Sequence, residues 1–98
     1  MKIVIQSSAL ADLADGFDFY EEKEPGLGGY FLDSLYSDID SLQFYAGIHI
    51  VHFGKYHRLL SKRFPCGIYY QVEENTILVR AVLDLRRDPK WIKRRLRQ

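Results

Sequence analysis

The chain has 98 residues, 47% hydrophobic and 14% aromatic, with a formal net charge of +1. That is one domain, spanning 1–98, with enough apolar material for a core, which excludes a disordered segment. No stretch approaches the roughly 18–20 apolar residues that span a bilayer, and MKIVIQSSAL lacks the charged start and long apolar run of a secretion signal.

Lys2 to Gln6 contains a β-branched run that predicts a strand. Ser7 or Ser8 is placed to cap a helix running to about Lys23, with Leu10, Leu13, Phe17 and Tyr20 as its apolar stripe and acidic residues over the rest. Pro25 and Gly26 stop it. After Gly28 and Gly29 a second helix is predicted to about Tyr45, with Phe31, Leu35, Ile39 and Leu42 as its stripe. So short a connection forces an antiparallel helical hairpin. Residues 46–54 read as a short strand or an extended approach to a sheet. His49 and His52 lack a third metal ligand at suitable spacing, so no metal site is expected there.

Three antiparallel strands follow. The first, Arg58 to Phe64, puts Arg58, Lys62 and Phe64 together. The middle one has Ile68, Tyr70 and Val72 on one face, opposite Tyr69, Gln71 and Glu73. The last has Ile77, Val79, Ala81 and Leu83 on one face, opposite Arg80, Val82 and Asp84. Pro65 and Gly67 fit the first turn, and Asn75 the second. Cys66 is expected in that first turn as a small residue rather than a reactive thiol; unable to form an internal disulfide, it agrees with a cytoplasmic protein. Tyr69 and Tyr70 are expected to pack rather than to stack on bases. Asp88 and Pro89 open a last helix, 89–97, anchored by Trp91, Ile92 and Leu96. The expected fold is α+β: a strand, a two-helix hairpin, a three- to four-stranded antiparallel sheet and a C-terminal helix.

The modest net charge conceals a split. Residues 1–54 hold two basic and nine acidic residues, a balance of −7; residues 55–98 hold twelve basic and four acidic, a balance of +8. A basic half invites a polyanion unless the two halves neutralise each other across the fold. Arg58, Lys62, Arg63, Arg80, Arg86, Arg87 and Lys90 are the cations available to a macromolecular target.

RFPCGIYYQVE at 63–73, followed by ILVRAVLDLRRDPKWIKRRL at 77–96, closely resembles the RelE/ParE toxin superfamily of bacterial type II toxin–antitoxin modules, often labelled plasmid-stabilisation proteins. FYEEKEPGLGGYFLDSL at 19–35 matches the helical hairpin of that superfamily, so the resemblance covers nearly the whole chain. It implies a helical hairpin packed on a twisted antiparallel sheet and a cognate antitoxin that wraps the toxin. A homodimer and a toxin–antitoxin hetero-oligomer are both compatible with it. No cofactor is implied.

Two mechanisms occur in that superfamily. RelE-like members cleave messenger RNA on the ribosome using Lys and Arg on the concave sheet and, in some, a Tyr near the C-terminus. ParE-like members poison DNA gyrase and carry no nuclease site. RNA cleavage needs a proton acceptor, a proton donor and fixed cations around the phosphate. His57, Arg58, Arg63 and Arg86 are the candidates for that chemistry here. The ribonuclease branch usually has an Arg just before the hydrophobic residues of the middle strand, where this chain has Cys66, Gly67 and Ile68. Trp91 stands near the place of the late Tyr and cannot transfer a proton. The chain therefore reads as nearer the ParE-like branch and not a nuclease, with a ribosome-dependent endoribonuclease as the alternative and a non-toxic antitoxin-binding homologue as a third reading.

Overall fold

The structure is a computed structural model and describes residues 1–97. Strand β1 (Lys2–Ile5) leads into helix α1 (Ser7–Lys23), α2 (Leu27–Asp40) and a one-turn α3 (Leu42–Tyr45). Strands β2 (Val51–His52), β3 (Tyr56–Leu60), β4 (Cys66–Glu73) and β5 (Thr76–Asp84) follow, and helix α4 (Pro89–Leu96) comes last. The five strands form one sheet in the order β1-β5-β4-β3-β2, two more than the basic meander because both outer segments join it. β1 runs parallel to β5, pairing Lys2 with Thr76 through Ile5 with Val79; the other pairs are antiparallel. The sheet is therefore mixed. The hairpin carries the chain from one side of the sheet to the other before β2 begins.

The helical hairpin covers one face. Ala9 and Leu13 of α1 and Phe31, Leu35 and Ile39 of α2 bury against Ile68, Tyr70, Ile77, Val79 and Val82. The stripe of α1 thus runs through Ala9 and not Leu10, which is exposed. No serine side chain caps α1: Gln6 holds the cap position, and Ser8 donates instead to the Arg80 carbonyl at 2.7 Å. The two helices approach closely at Gly28, where a Cβ would lie 2.8 Å from the Phe17 carbonyl oxygen. Helix α2 begins at Leu27, earlier than expected, because Glu21 of α1 reaches across and accepts from the Gly26 and Gly28 amides, supplying the cap that glycine lacks. The helix breaks at Ser41, whose hydroxyl donates to the Asp38 carbonyl at 2.6 Å.

The opposite face is covered by α4. Ile92 and Leu96 pack on Tyr56, Tyr69, Ala81 and Leu83, and the Tyr56 hydroxyl donates to the Leu96 carbonyl at 2.8 Å, satisfying an orphan acceptor at the helix end. Asp88 caps α4 by accepting from the Lys90 amide, with Pro89 in the first turn, as the sequence predicts.

The strict alternation expected along the last strand fails at one place. Tyr69 pairs with Ala81 and Tyr70 with Val79, so Arg80 is an extra residue, a β-bulge. Before it, Ile77 and Val79 face the hairpin; after it, Val82 does so, while Ala81 and Leu83 turn toward α4. Ile77, Val79, Ala81 and Leu83 do not share a face.

The first strand of the meander is likewise shifted. It ends at Leu60, and residues 61–65 form a turn in which Ser61 donates to the buried Asp38 carboxylate at 2.8 Å. Cys66 and Gly67 lie inside β4, both buried, and not in the turn. In the second turn the left-handed residue is Glu74, with φ 53°, rather than Asn75. Tyr69 and Tyr70 are fully buried, one on each face.

Candidate functional site

β5, the turn after it and α4 gather most of the candidate cations. The turn is built by Asp84. Its carboxylate accepts from the Arg86 amide at 2.8 Å and from Nε and Nη2 of the Arg86 guanidinium at 3.0 and 2.6 Å, a two-pronged pair. The Leu85 amide donates to the Pro65 carbonyl at 2.8 Å, tying this turn to the one before β4. Arg86 holds the Asp84 carboxyl below its ordinary value, chiefly through these side-chain hydrogen bonds. A depressed folded-state value means that this pair adds stability above the ordinary carboxylate value of 3.8 and loses it as pH falls through the folded value. Arg86→Ala should therefore move the Asp84 titration, followed by carboxyl carbon NMR, upward; an unmoved curve would show that the pair does not persist in solution.

Arg87 lies over the Trp91 ring, its guanidinium carbon 3.8 Å from the centroid, which holds an exposed cation at a fixed place. Trp91 also packs beside the α4 core, so the one side chain anchors the helix and supports the arginine. Together with Asp15, Phe19 and Tyr20 of α1, Arg87 and Trp91 rim a cleft of about 540 Å³ between α1 and α4. Cys66, Val82 and Leu83 are at its floor. Burial, reinforced by the Asp84 charge, pushes the Cys66 thiol up to about 12, so it is a packing group and not a nucleophile.

The inner wall of the cleft is a cluster that sequence reasoning missed. β1 ends at Ile5 opposite Val79, which leaves the edge of β5 beyond the bulge without a strand. Helix α1 fills that gap with side chains: Ser8 donates to the Arg80 carbonyl, and the Asp12 carboxylate accepts from the Val82 amide at 3.0 Å. The same carboxylate accepts from Arg95 Nη2 of α4 at 2.7 and 2.8 Å, and Arg95 also donates to the Ser8 carbonyl. Asp12 thus joins three elements. Burial pushes its carboxyl above the ordinary value even though the Val82 amide and Arg95 pull it down. Nothing in the local pattern marks it, since Asp12 is one acid among several on a helix.

The remaining candidates are dispersed. His57 and Arg58 are neighbours on β3 and face opposite sides of the sheet. His57 stacks on Tyr70 at 5.1 Å under the hairpin, with its Nδ1 2.7 Å from the His49 carbonyl oxygen. Arg58 pairs with Tyr69 on the α4 side, and its stem crosses bare Gly67, where a Cβ would lie 3.0 Å from the Arg58 Cδ. Its Nε is buried without an acceptor. Lys62 and Arg63 are exposed in the β3–β4 turn, Arg63 over the Tyr30 ring of α2 at 5.8 Å. Arg80 sits on the bulge and Lys90 is exposed in the first turn of α4. His57, Arg58, Arg63 and Arg86 therefore do not converge on one point.

The two charged halves make few ion pairs with each other. Among the described residues there are two ion pairs, and only Arg95–Asp12 joins the acidic half to the basic one. Among the described residues, Arg58, Lys62, Arg63, Arg80, Arg87 and Lys90 have no carboxylate within 4.0 Å. Also among the described residues, no helix is long and apolar enough to cross a membrane.

No protein-family profile matches the sequence, and no curated protein matches it. A solved structure described as a chromosomal ParDE TA system from P. aeruginosa is similar, with a TM-score of 0.77 over 84% of this chain and 92% of that one, at 19% identity. At that identity the likeness concerns architecture alone. The chain has the fold of that ParDE-system structure.

Proposed function

We propose that this protein is the toxin of a type II toxin–antitoxin pair, kept inactive by a cognate antitoxin, and that it acts in the cytoplasm by binding a macromolecular target such as DNA gyrase. The similarity to a chain of a ParDE system supports the class. The observation that carries the reading is the set of exposed cations Lys62, Arg63, Arg87 and Lys90 in the basic half, none of them in an ion pair among the described residues. Fixed exposed charge of one sign steers an oppositely charged partner and sets its register.

A binding mode is favoured over a cutting one. RNA cleavage needs a proton-transfer group beside the cations. His57, the candidate, lies under the hairpin on the face away from Arg58, and the indole N–H of Trp91 is too weak an acid for proton transfer. A ribosome-dependent endoribonuclease is the second reading, with Arg58, Arg63 and Arg86 on the scissile phosphate. The Leu85–Pro65 hydrogen bond, which ties the turn of Arg86 to the turn of Arg63, is what favours it.

Induced expression without antitoxin tests these readings. Growth arrest with a DNA-damage response is expected. Rapid loss of translation with cleaved transcripts would establish the nuclease instead. Unimpaired growth would leave a non-toxic antitoxin-binding homologue.

A further inference from the structure

The segment between Asp40 and Lys55 contains no Asp, Glu, Lys or Arg, in a chain that is 28% charged. It carries the most exposed apolar side chains of the molecule: Phe44 at 80%, Ile50 at 76% and Ile48 at 73% exposure, with Val51 and Phe53 about half exposed. Phe44 opens the strip on α3. Ile48 to Phe53 continue it to β2, the outermost strand of the sheet, and beyond β2 no strand follows among the described residues. Together these side chains bare several hundred Å² of apolar surface. That is the size of the largest apolar patch on a typical monomer, which is often functional, and it approaches the ~800 Å² that each partner gives a stable pair.

The strip is also held in place. The Tyr70 hydroxyl accepts from the Gly47 amide at 3.0 Å and contacts the His49 ring, and the Arg58 amide donates to the Ile50 carbonyl. At the tip, Phe53 takes a left-handed φ of 57° beside Gly54 at 66°, a conformation unfavourable for a bulky residue. Conformational energy is spent there to hold an aromatic ring toward solvent.

We propose that this uncharged strip and the open β2 edge are a self-association surface, occupied by a second copy of this chain through antiparallel β2–β2′ pairing about a two-fold axis. In such an interface residues near the axis meet their own copies, so any like charge would repel itself. The acidic hairpin and the basic α4 face are unsuited to that, and the strip without formal charge is suited to it. An acidic partner drawn to the basic half would find no charge here to read. Pairing the edges also satisfies backbone groups that an exposed edge strand otherwise leaves open to aggregation. The inference goes beyond the toxin reading and does not depend on it.

Sedimentation equilibrium of the 98-residue wild-type chain and of Ile50→Glu tests it. The wild type should be dimeric at tens of micromolar, and Ile50→Glu should self-associate at least tenfold more weakly. The side chain is exposed, so circular dichroism and melting should be unchanged. A wild type monomeric at hundreds of micromolar would overturn the proposal, as would an Ile50→Glu variant that stays dimeric. Loss of antitoxin binding in Ile50→Glu with a monomeric wild type would assign the strip to the antitoxin and equally overturn it.

Discussion

Asp12→Ala is expected to lower the unfolding free energy by about 3 kcal/mol, a large part of the 5–15 kcal/mol typical of a domain. The substitution leaves the Val82 amide without its acceptor and Arg95 with only the Ser8 carbonyl. Both side chains are mostly enclosed, at 12% and 19% exposure for Asp12 and Arg95, so water replaces little of what is removed. Asp12→Asn keeps an acceptor for the Val82 amide and should cost less, about 1–2 kcal/mol. Urea denaturation at fixed pH measures both. The pH dependence has a definite sign. Burial raises the folded-state value of Asp12, so its own contribution is greatest below 3.8 and declines as pH rises through the folded value. The deficit of Asp12→Ala should therefore widen toward acid. A deficit that shrinks in acid would mean that the Arg95 attraction outweighs burial in the folded protein.

Replacing Arg86 and Arg87 together by Ala should weaken growth inhibition at least tenfold while changing antitoxin affinity by less than about tenfold, because both guanidinium groups are exposed at the rim and not part of either core. Plating efficiency on induction measures the first effect and titration calorimetry with the antitoxin the second. Arg87→Lys separates charge from shape: lysine keeps the cation and loses the planar stack on Trp91. Retained toxicity in Arg87→Lys would show that the target reads charge. Equal loss of toxicity and antitoxin binding in the double variant would mean that these arginines hold the turn and do not contact the target. Thermal melting distinguishes that outcome, since the Arg86–Asp84 pair is a local, exposed contact and its removal should leave the core transition in place.

Taken together, the bulge and the short β1 explain why the cleft exists. A β1 extending past Ile5 would cover the edge of β5 and leave no place for Ser8 and Asp12. Because β1 stops, α1 must lie against that edge, Arg95 can reach Asp12 from α4, and the space between the two helices opens beside Arg87 and Trp91. The cationic turn is thus supported from both sides of the sheet.

What the sequence by itself determined is whatever depends on neighbours close along the chain. The three-to-four spacing of Leu13, Phe17 and Tyr20 and of Phe31, Leu35 and Ile39 specifies the helical hairpin. Asp88-Pro89 specifies the start of α4, and the period of two in β4 specifies its faces. The charge split and the uncharged stretch from 41 to 54 are also plain in the letters. Only the tertiary structure decided the parallel docking of β1, the short β2 edge, the bulge at Arg80 that reverses the faces of Ala81 and Leu83, and the choice of Asp12 from among its acidic neighbours. The physical reason is that alternation assumes an unbroken ladder. One inserted residue shifts every side chain after it to the other face, and whether it is inserted depends on which strand or helix lies alongside, many residues away.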